Sequence, residues 1–153
     1  MAAKTSVKLV IPSETRLIDL VHTASENLAG LAGFGGDDAL NVGLAVREAV
    51  INAMLHGNRQ DPSLKVTVTL AAQADRLVAR VSDQGNGFDP ARTRDPRADA
   101  NRLRESGRGL LLMEAFVDSV KFRRLPGGGT QVTMVKRLPT EGGNGRNGGK
   151  QIS

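Results

Sequence analysis

The 153-residue chain has no cysteine, no tryptophan and no tyrosine, and four phenylalanines are its only aromatic residues. Without cysteine there can be no disulfide, no thiolate metal site and no cysteine nucleophile. That usage is compatible with a reducing cytoplasm. So few aromatics leave little of the stacking surface on which single-stranded nucleic acids are held. Long hydrophobic runs are also missing. Val7 to Ile11 is too short and too alternating for a signal peptide, and no segment is long enough to span a membrane, so the chain reads as soluble and cytoplasmic. Two signatures of nucleotide chemistry are absent: the Walker-type phosphate loop and the protein-kinase motif set.

What is present fits one domain able to bury its own core. With 39% hydrophobic residues and almost no aromatics, that core must be built from Val, Leu, Ile and Ala. The formal charge is +5 and the sequence pI about 10.2. A basic surface can serve nucleic acid or an acidic protein, can steer an anionic nucleotide, or can be an ordinary solvated face.

Hydrophobic periodicity gives the order of elements. Val7, Leu9 and Ile11 alternate, which predicts a strand ended by Pro12-Ser13. Leu17, Leu20, Val21, Ala24, Leu28 and Leu31 follow helical spacing, with Ser13 or Thr15 as the expected N-cap and His22 off the apolar stripe, at the surface. Gly33 to Gly36 breaks that helix. Asp37 or Asp38 is placed to cap a second, running to about Leu55 and stopped by Gly57. Residues 64–70 and 76–82 alternate as a hairpin around Ala74-Asp75. Residues 83–107, rich in Gly, Asp, Arg and Pro, read as a long loop, of a length that is usually functional or disordered. A short helix over 108–117 and a hairpin of 119–124 with 130–138 follow. The Gly/Asn-rich stretch 139–153 reads as a disordered tail. The order excludes alternating βα units and predicts an α+β two-layer sandwich: a mixed, mostly antiparallel sheet with helices on one face.

The second helix is apolar nearly all round, yet Glu48, Asn52 and His56 interrupt it at four-residue steps. Each step drifts only about 40° around a helix, so the three share one face, with Asn41 on the same side. Burying a carboxylate and an amide on such a helix costs free energy unless something binds them. A solvated edge or a satisfied buried network would also explain the stripe. As a site, it offers oxygen ligands suited to Mg²⁺ and a carboxylate able to act as general base.

Three glycine-rich elements follow. Asp83-Gln84-Gly85-Asn86-Gly87 ends an apolar strand; its aspartate can accept a hydrogen bond from an amine, and its glycines allow backbone to approach a flat ring. Gly107-Arg108-Gly109-Leu110 opens a helix, where backbone N–H groups favour phosphate. Gly128-Gly129-Thr130 precedes the last strand, and the Thr130 hydroxyl can donate to an anion.

Taken together and in this order, Glu48-x-x-x-Asn52-x-x-x-His56-Gly57, Asp83-x-Gly85-x-Gly87, Gly107-x-Gly109-Leu110 and Gly129-Thr130 resemble the successive boxes of the GHKL ATPase superfamily. The size, and the run Glu48 to Ala53, resemble most the bacterial anti-sigma-factor serine kinases. The resemblance covers residues 7–138, so 6–138 is expected to be one ATP-binding kinase domain of Bergerat fold. It implies ATP and Mg²⁺ as cofactors, Asn52 as Mg²⁺ ligand, Glu48 as general base and Asp83 as reader of the adenine amine. Gly85 and Gly87 would border the adenine, Gly107, Arg108 and Gly109 would meet the phosphates, and Thr130 would support the base pocket. His56 ends the box that holds Asn52. The family's lid arginine has five counterparts to choose from: Arg92, Arg94, Arg97, Arg102 and Arg104.

The implied activity is phosphorylation of a serine on an anti-anti-sigma (STAS) partner by a protein that also sequesters a sigma factor and commonly forms a homodimer. No membrane and no direct nucleic-acid contact are expected. A non-catalytic, ATP-dependent partner-switching regulator is the alternative. A histidine-kinase catalytic domain lacks room for a phosphoacceptor hairpin before Ser6, and a nucleic-acid module rests on charge alone.

Overall fold

In the computed structural model, residues 5–85 and 109–139 are described. They form five strands and three helices: β1 (Thr5–Pro12), α1 (Ile18–Leu31), α2 (Gly36–Asn52), β2 (Lys65–Ala72), β3 (Arg76–Ser82), α3 (Gly109–Phe116), β4 (Ser119–Arg124) and β5 (Thr130–Arg137). The sheet order is β1-β2-β3-β5-β4. Every described pairing is antiparallel, so the mixed but mostly antiparallel sheet expected from sequence contains no parallel pair among the described residues.

Period-two patterning divides the sheet into two faces. Leu9 pairs with Val68, Val68 with Val81, Val81 with Val132 and Val132 with Phe122. These side chains, with Leu70, Ala79 and Met134, form the core face. α1 and α2 cover it through Val21, Leu28, Val42, Val46 and Val50, and α3 adds Met113, fully buried. Each such aliphatic side chain is worth about 1.5–3 kcal/mol on burial. The core is mostly Val, Leu, Ile and Ala, as expected from composition, but Met54, Met113, Met134 and Phe34 also stand in it.

Helices α1 and α2 cross closely at Gly43. A Cβ there would stand 3.1 Å from His22 Nε2 and 3.3 Å from Glu26 Cβ. His22 is thus not the surface residue its position off the stripe suggested. Its side chain is 17% exposed, beside Glu26 at 3.2 Å. Arg47 of α2 also reaches Asp19 of α1, at 2.6 Å.

The helix ends differ from expectation. Neither Ser13 nor Thr15 caps α1; a 3₁₀ turn at Thr15–Leu17 leads into it. The Ser13 hydroxyl instead donates to the Leu64 carbonyl, 2.9 Å away. The N-cap of α2 is Gly35, leaving Asp37 and Asp38 in the first turn, where carboxylates favour the positive end of the helix dipole. At its far end α2 stops at Asn52 and passes into a π turn, Ala53–Gly57, closed by Asn58 N–H donating to the Ala53 carbonyl at 2.8 Å. Arg59 and Gln60 follow with φ of 52° and 61°. Two consecutive non-glycine residues in the left-handed region cost about 1–2 kcal/mol each. They reverse the chain toward β2.

Candidate nucleotide site

Strand order positions the site. Because β5 returns beside β3, Ser82 pairs with Gln131, and the end of the central strand meets the start of β5. Asp83 sits at that junction, 7% exposed. Its backbone N–H donates to the Thr130 carbonyl at 3.0 Å. Its Oδ1 accepts from the N–H groups of Gly85 at 3.0 Å and Thr130 at 3.2 Å. Two donors on one carboxylate oxygen stabilise its charged form and fix its orientation. Thr130 therefore serves Asp83 through its backbone amide, where the sequence had pointed to its hydroxyl.

Glycines wall this carboxylate. A Cβ on Gly57 would collide with the Asp83 carboxyl, one on Gly85 with the Gly57 carbonyl, and one on Gly129 with the Asp83 backbone. Gly129 has φ of +93°, a conformation that favours glycine. Three glycines far apart in sequence thus share one packing constraint. The π turn contributes by adding a residue to the last turn of α2, which swings Gly57 and Asn58 across to the end of β3.

Asn58 is a residue that sequence reading missed. It is 1% exposed, and its amide is fully engaged. Nδ2 donates to Ser13 Oγ at 2.7 Å and to the Lys65 carbonyl at 3.0 Å, and Oδ1 accepts from Gln84 N–H at 2.8 Å. One side chain therefore ties the segments flanking β1, β2 and β3 to the end of the π turn, next to Asp83. Its only signal in the sequence was its place beside the glycine that ends the helix.

At the other part of the candidate site, α2 meets the start of α3. A Cβ on Gly109, first residue of α3, would stand 3.0 Å from Asn52 Nδ2 and 3.5 Å from Glu48 Oε1. Glu48, Asn52 and the helix start, separated by more than fifty residues of sequence, are thus brought together. Glu48 is half-buried, and Asn52 is 7% exposed. Asn52 Nδ2 is buried without a hydrogen-bond partner. An orphaned buried amide costs about 1–3 kcal/mol, so this donor is open to a polar ligand; His22 Nδ1 between α1 and α2 is likewise without a partner. His56 lies half-buried on the π turn, and Leu110 half-buried in the first turn of α3. Gly87, Gly107, Arg108 and the five lid arginines lie outside the described residues, as do most of the long loop and the tail.

These residues fit a nucleotide with a bound magnesium ion. The described residues hold no cluster of three or more His, Asp or Glu side chains for a metal. Mg²⁺ does not need one, since it is commonly held by one or two protein oxygens with phosphates and water.

A family model described as the histidine kinase-like ATPase domain matches residues 11–136. The chain belongs to that family. It is 32% identical over 141 residues to the serine-protein kinase RsbW of Bacillus velezensis, covering 88% of this chain and 87% of that protein. It is 30% identical over 121 residues to the serine-protein kinase RsbW of Listeria monocytogenes, covering 75% of this chain and 77% of that one. A crystal structure of the RsbU and RsbW domains of a Mycobacterium tuberculosis protein superposes with a TM-score of 0.60 at 22% identity. The match covers 88% of this chain and 32% of the other and is a likeness of fold. The two-layer α+β sandwich expected from sequence is therefore the family's fold. Among the described residues, no helix is long and apolar enough to cross a membrane.

Proposed function

We propose that this chain is an ATP-dependent protein serine kinase and anti-sigma factor. It phosphorylates a serine of an anti-anti-sigma (STAS) partner and, when not so engaged, holds a sigma factor inactive. The observation that carries this reading is the convergence of Glu48 and the unpartnered Asn52 amide on the start of α3, beside a glycine-walled Asp83. Similarity to serine-protein kinases over most of the chain supports it.

The chemistry divides among these residues. Asp83, held by two backbone N–H groups, presents its carboxylate to the exocyclic amine of adenine. Gly85 and Gly87 leave the ring edge room for close backbone approach. The start of α3 at Gly109 would meet the phosphates, where the helix dipole favours negative charge, and Gly107 and Arg108 would contribute by the family resemblance alone. Asn52 would supply an oxygen to Mg²⁺, which would neutralise charge on the phosphates. Glu48 takes the proton of the attacking serine hydroxyl as the new oxygen–phosphorus bond forms and ADP departs. His56 and Leu110 bound the pocket from the π turn and from α3.

The domain spans 6–138, works in the cytoplasm and pairs as a homodimer in this proposal. Incubation with γ-labelled ATP, Mg²⁺ and candidate STAS proteins tests it: label should appear on a partner serine. Glu48→Gln should abolish transfer while leaving ATP affinity within about threefold. Transfer surviving in that variant would remove Glu48 as base. ATP binding without label on any STAS partner would favour the non-catalytic switch. An absence of ATP binding would overturn the whole reading.

A further inference from the structure

The sheet face turned away from the helices has a one-sided charge. Its positions follow from the pairing register. Lys8 lies opposite Thr69, Thr69 opposite Arg80, Arg80 opposite Thr133, and Thr133 opposite Lys121. In the neighbouring rows Arg123 lies opposite Gln131, and Arg76 opposite Arg137. Lys8, Arg80, Lys121, Arg123 and Arg137 are all exposed. No Asp or Glu occupies this face on any of the five strands. Among the described residues, Asp75 in the β2–β3 turn, paired with Arg76, and Asp118 just before β4, accepting from the Arg137 backbone N–H, stand at the rim. Acidic residues such as Glu26, Asp37, Asp38 and Glu48 lie instead on the helical layer.

Like charges facing one another across a sheet are unfavourable in the free protein. On this face that holds for one pair, Arg76 opposite Arg137, and Asp75 offsets it; Lys8, Arg80 and Lys121 each face a threonine and leave their charge available to an anionic partner. Between the cations stand Thr69, Ala71, Thr133 and Val135, half-buried small or β-branched side chains that offer apolar contact and hydroxyls, while Val78 is buried. That mixture suits a protein surface. Among the described residues, no helix stands on this face to enter a DNA groove, and no aromatic side chain of the five strands stands on it for base stacking. A second copy of the same face would set like charges against like.

We propose that this sheet face is a docking surface for an acidic, helical segment of a partner protein. With strands about 4.8 Å apart, Lys8, Arg80 and Lys121 are spaced about 10 Å apart across the sheet. Carboxylates at i and i+7 on a helix are about 10.5 Å apart, so a helix laid across the strands meets the three cations in turn. The surface is separate from the nucleotide site, and the inference does not depend on the kinase reading.

The test is binding of the full chain to a helical peptide carrying Glu at i, i+7 and i+14, against a scrambled peptide of the same composition and a duplex DNA. ATP affinity and circular dichroism are followed alongside. The spaced peptide should bind more tightly than the scrambled one and weaken steeply with salt. The combined variant K8E/R80E/K121E should lose at least tenfold in peptide affinity with ATP affinity unchanged. Arg80→Lys should retain most of the binding. Equal binding by wild type and variant, or indifference to peptide spacing, would overturn the proposal. So would tighter binding of duplex DNA than of the spaced peptide at about 150 mM salt, which would make the face a nucleic-acid surface. A change of the variant's oligomeric mass would reassign it to contact between copies.

Discussion

Replacing Asn58 by alanine should destabilise the fold by about 2–4 kcal/mol and weaken nucleotide binding as a consequence. The side chain makes three hydrogen bonds from a site with 1% exposure. Each is worth about 1 kcal/mol net, and the cost rises where a partner is left dry. Truncation strands the Gln84 N–H and the Lys65 carbonyl in part-buried positions; Ser13 Oγ loses a donor but still donates to Leu64. For a domain of this size, 1 kcal/mol moves the midpoint by about 2–4 °C, so Tm should fall by about 5–15 °C. Urea unfolding followed by circular dichroism gives the free energy.

A double-mutant cycle with Ser13→Ala separates the hub from simple loss of packing. Asn58 and Ser13 share the 2.7 Å bond, so their coupling should be about 0.5–1.5 kcal/mol. An Asn58→Ala loss below about 0.5 kcal/mol, or additive effects in the cycle, would refute the reasoning. Because Gln84 adjoins Asp83, ATP affinity should fall in this variant even well below its melting temperature. Unchanged affinity would show that the hub serves stability alone.

Asp83→Asn keeps an oxygen for the Gly85 and Thr130 amides but puts a donor where the adenine amine would donate. Calorimetry should show ATP affinity reduced tenfold or more with Tm within a few degrees of wild type. Gly57→Ala sets a methyl against the Asp83 carboxyl, and should weaken ATP binding by at least tenfold in an equilibrium titration; wild-type affinity would mean that the π turn yields easily. The Arg47 guanidinium, by hydrogen bond and charge, holds the Asp19 carboxyl below its ordinary 3.8. A lowered folded value contributes stability above about pH 3.8 that is lost as pH falls through that lower value. The stability gap between wild type and Asp19→Asn should thus hold steady from neutral pH to about pH 5, then close under stronger acid. It should also shrink with salt, because the pair is exposed. A gap that persists at pH 2 would assign the effect to something other than this pair.

Much of the fold was legible in the sequence. Alternation in β2 and β5 survives in the structure because one sheet face is buried and the other is less so, and a slip of one residue would exchange them; in the central β3, Leu77, Val78 and Ala79 are buried in succession. Element order was enough to exclude a doubly wound fold. The caps were misread, since Ser13 has the right chemistry for a cap but a better partner in the distant Leu64 carbonyl. The end of α2 was misread for a related reason. Helical spacing continues through His56, and only contact with the end of β3 favours a π turn there.

The sequence by itself determined the aliphatic core, the alternating strands, and the polar residues Glu48, Asn52 and Asp83 that burial alone would not select. These are local properties, set by side-chain chemistry and periodicity. Only the tertiary structure decided that Gly57, Gly85 and Gly129 wall one carboxylate, that Asn58 ties the ends of three strands together, and that Gly109 abuts Asn52. Only the register gathered Lys8, Arg80 and Lys121 into one row. Those relations depend on which strands pair and how closely two backbones approach. No spacing along the chain encodes them.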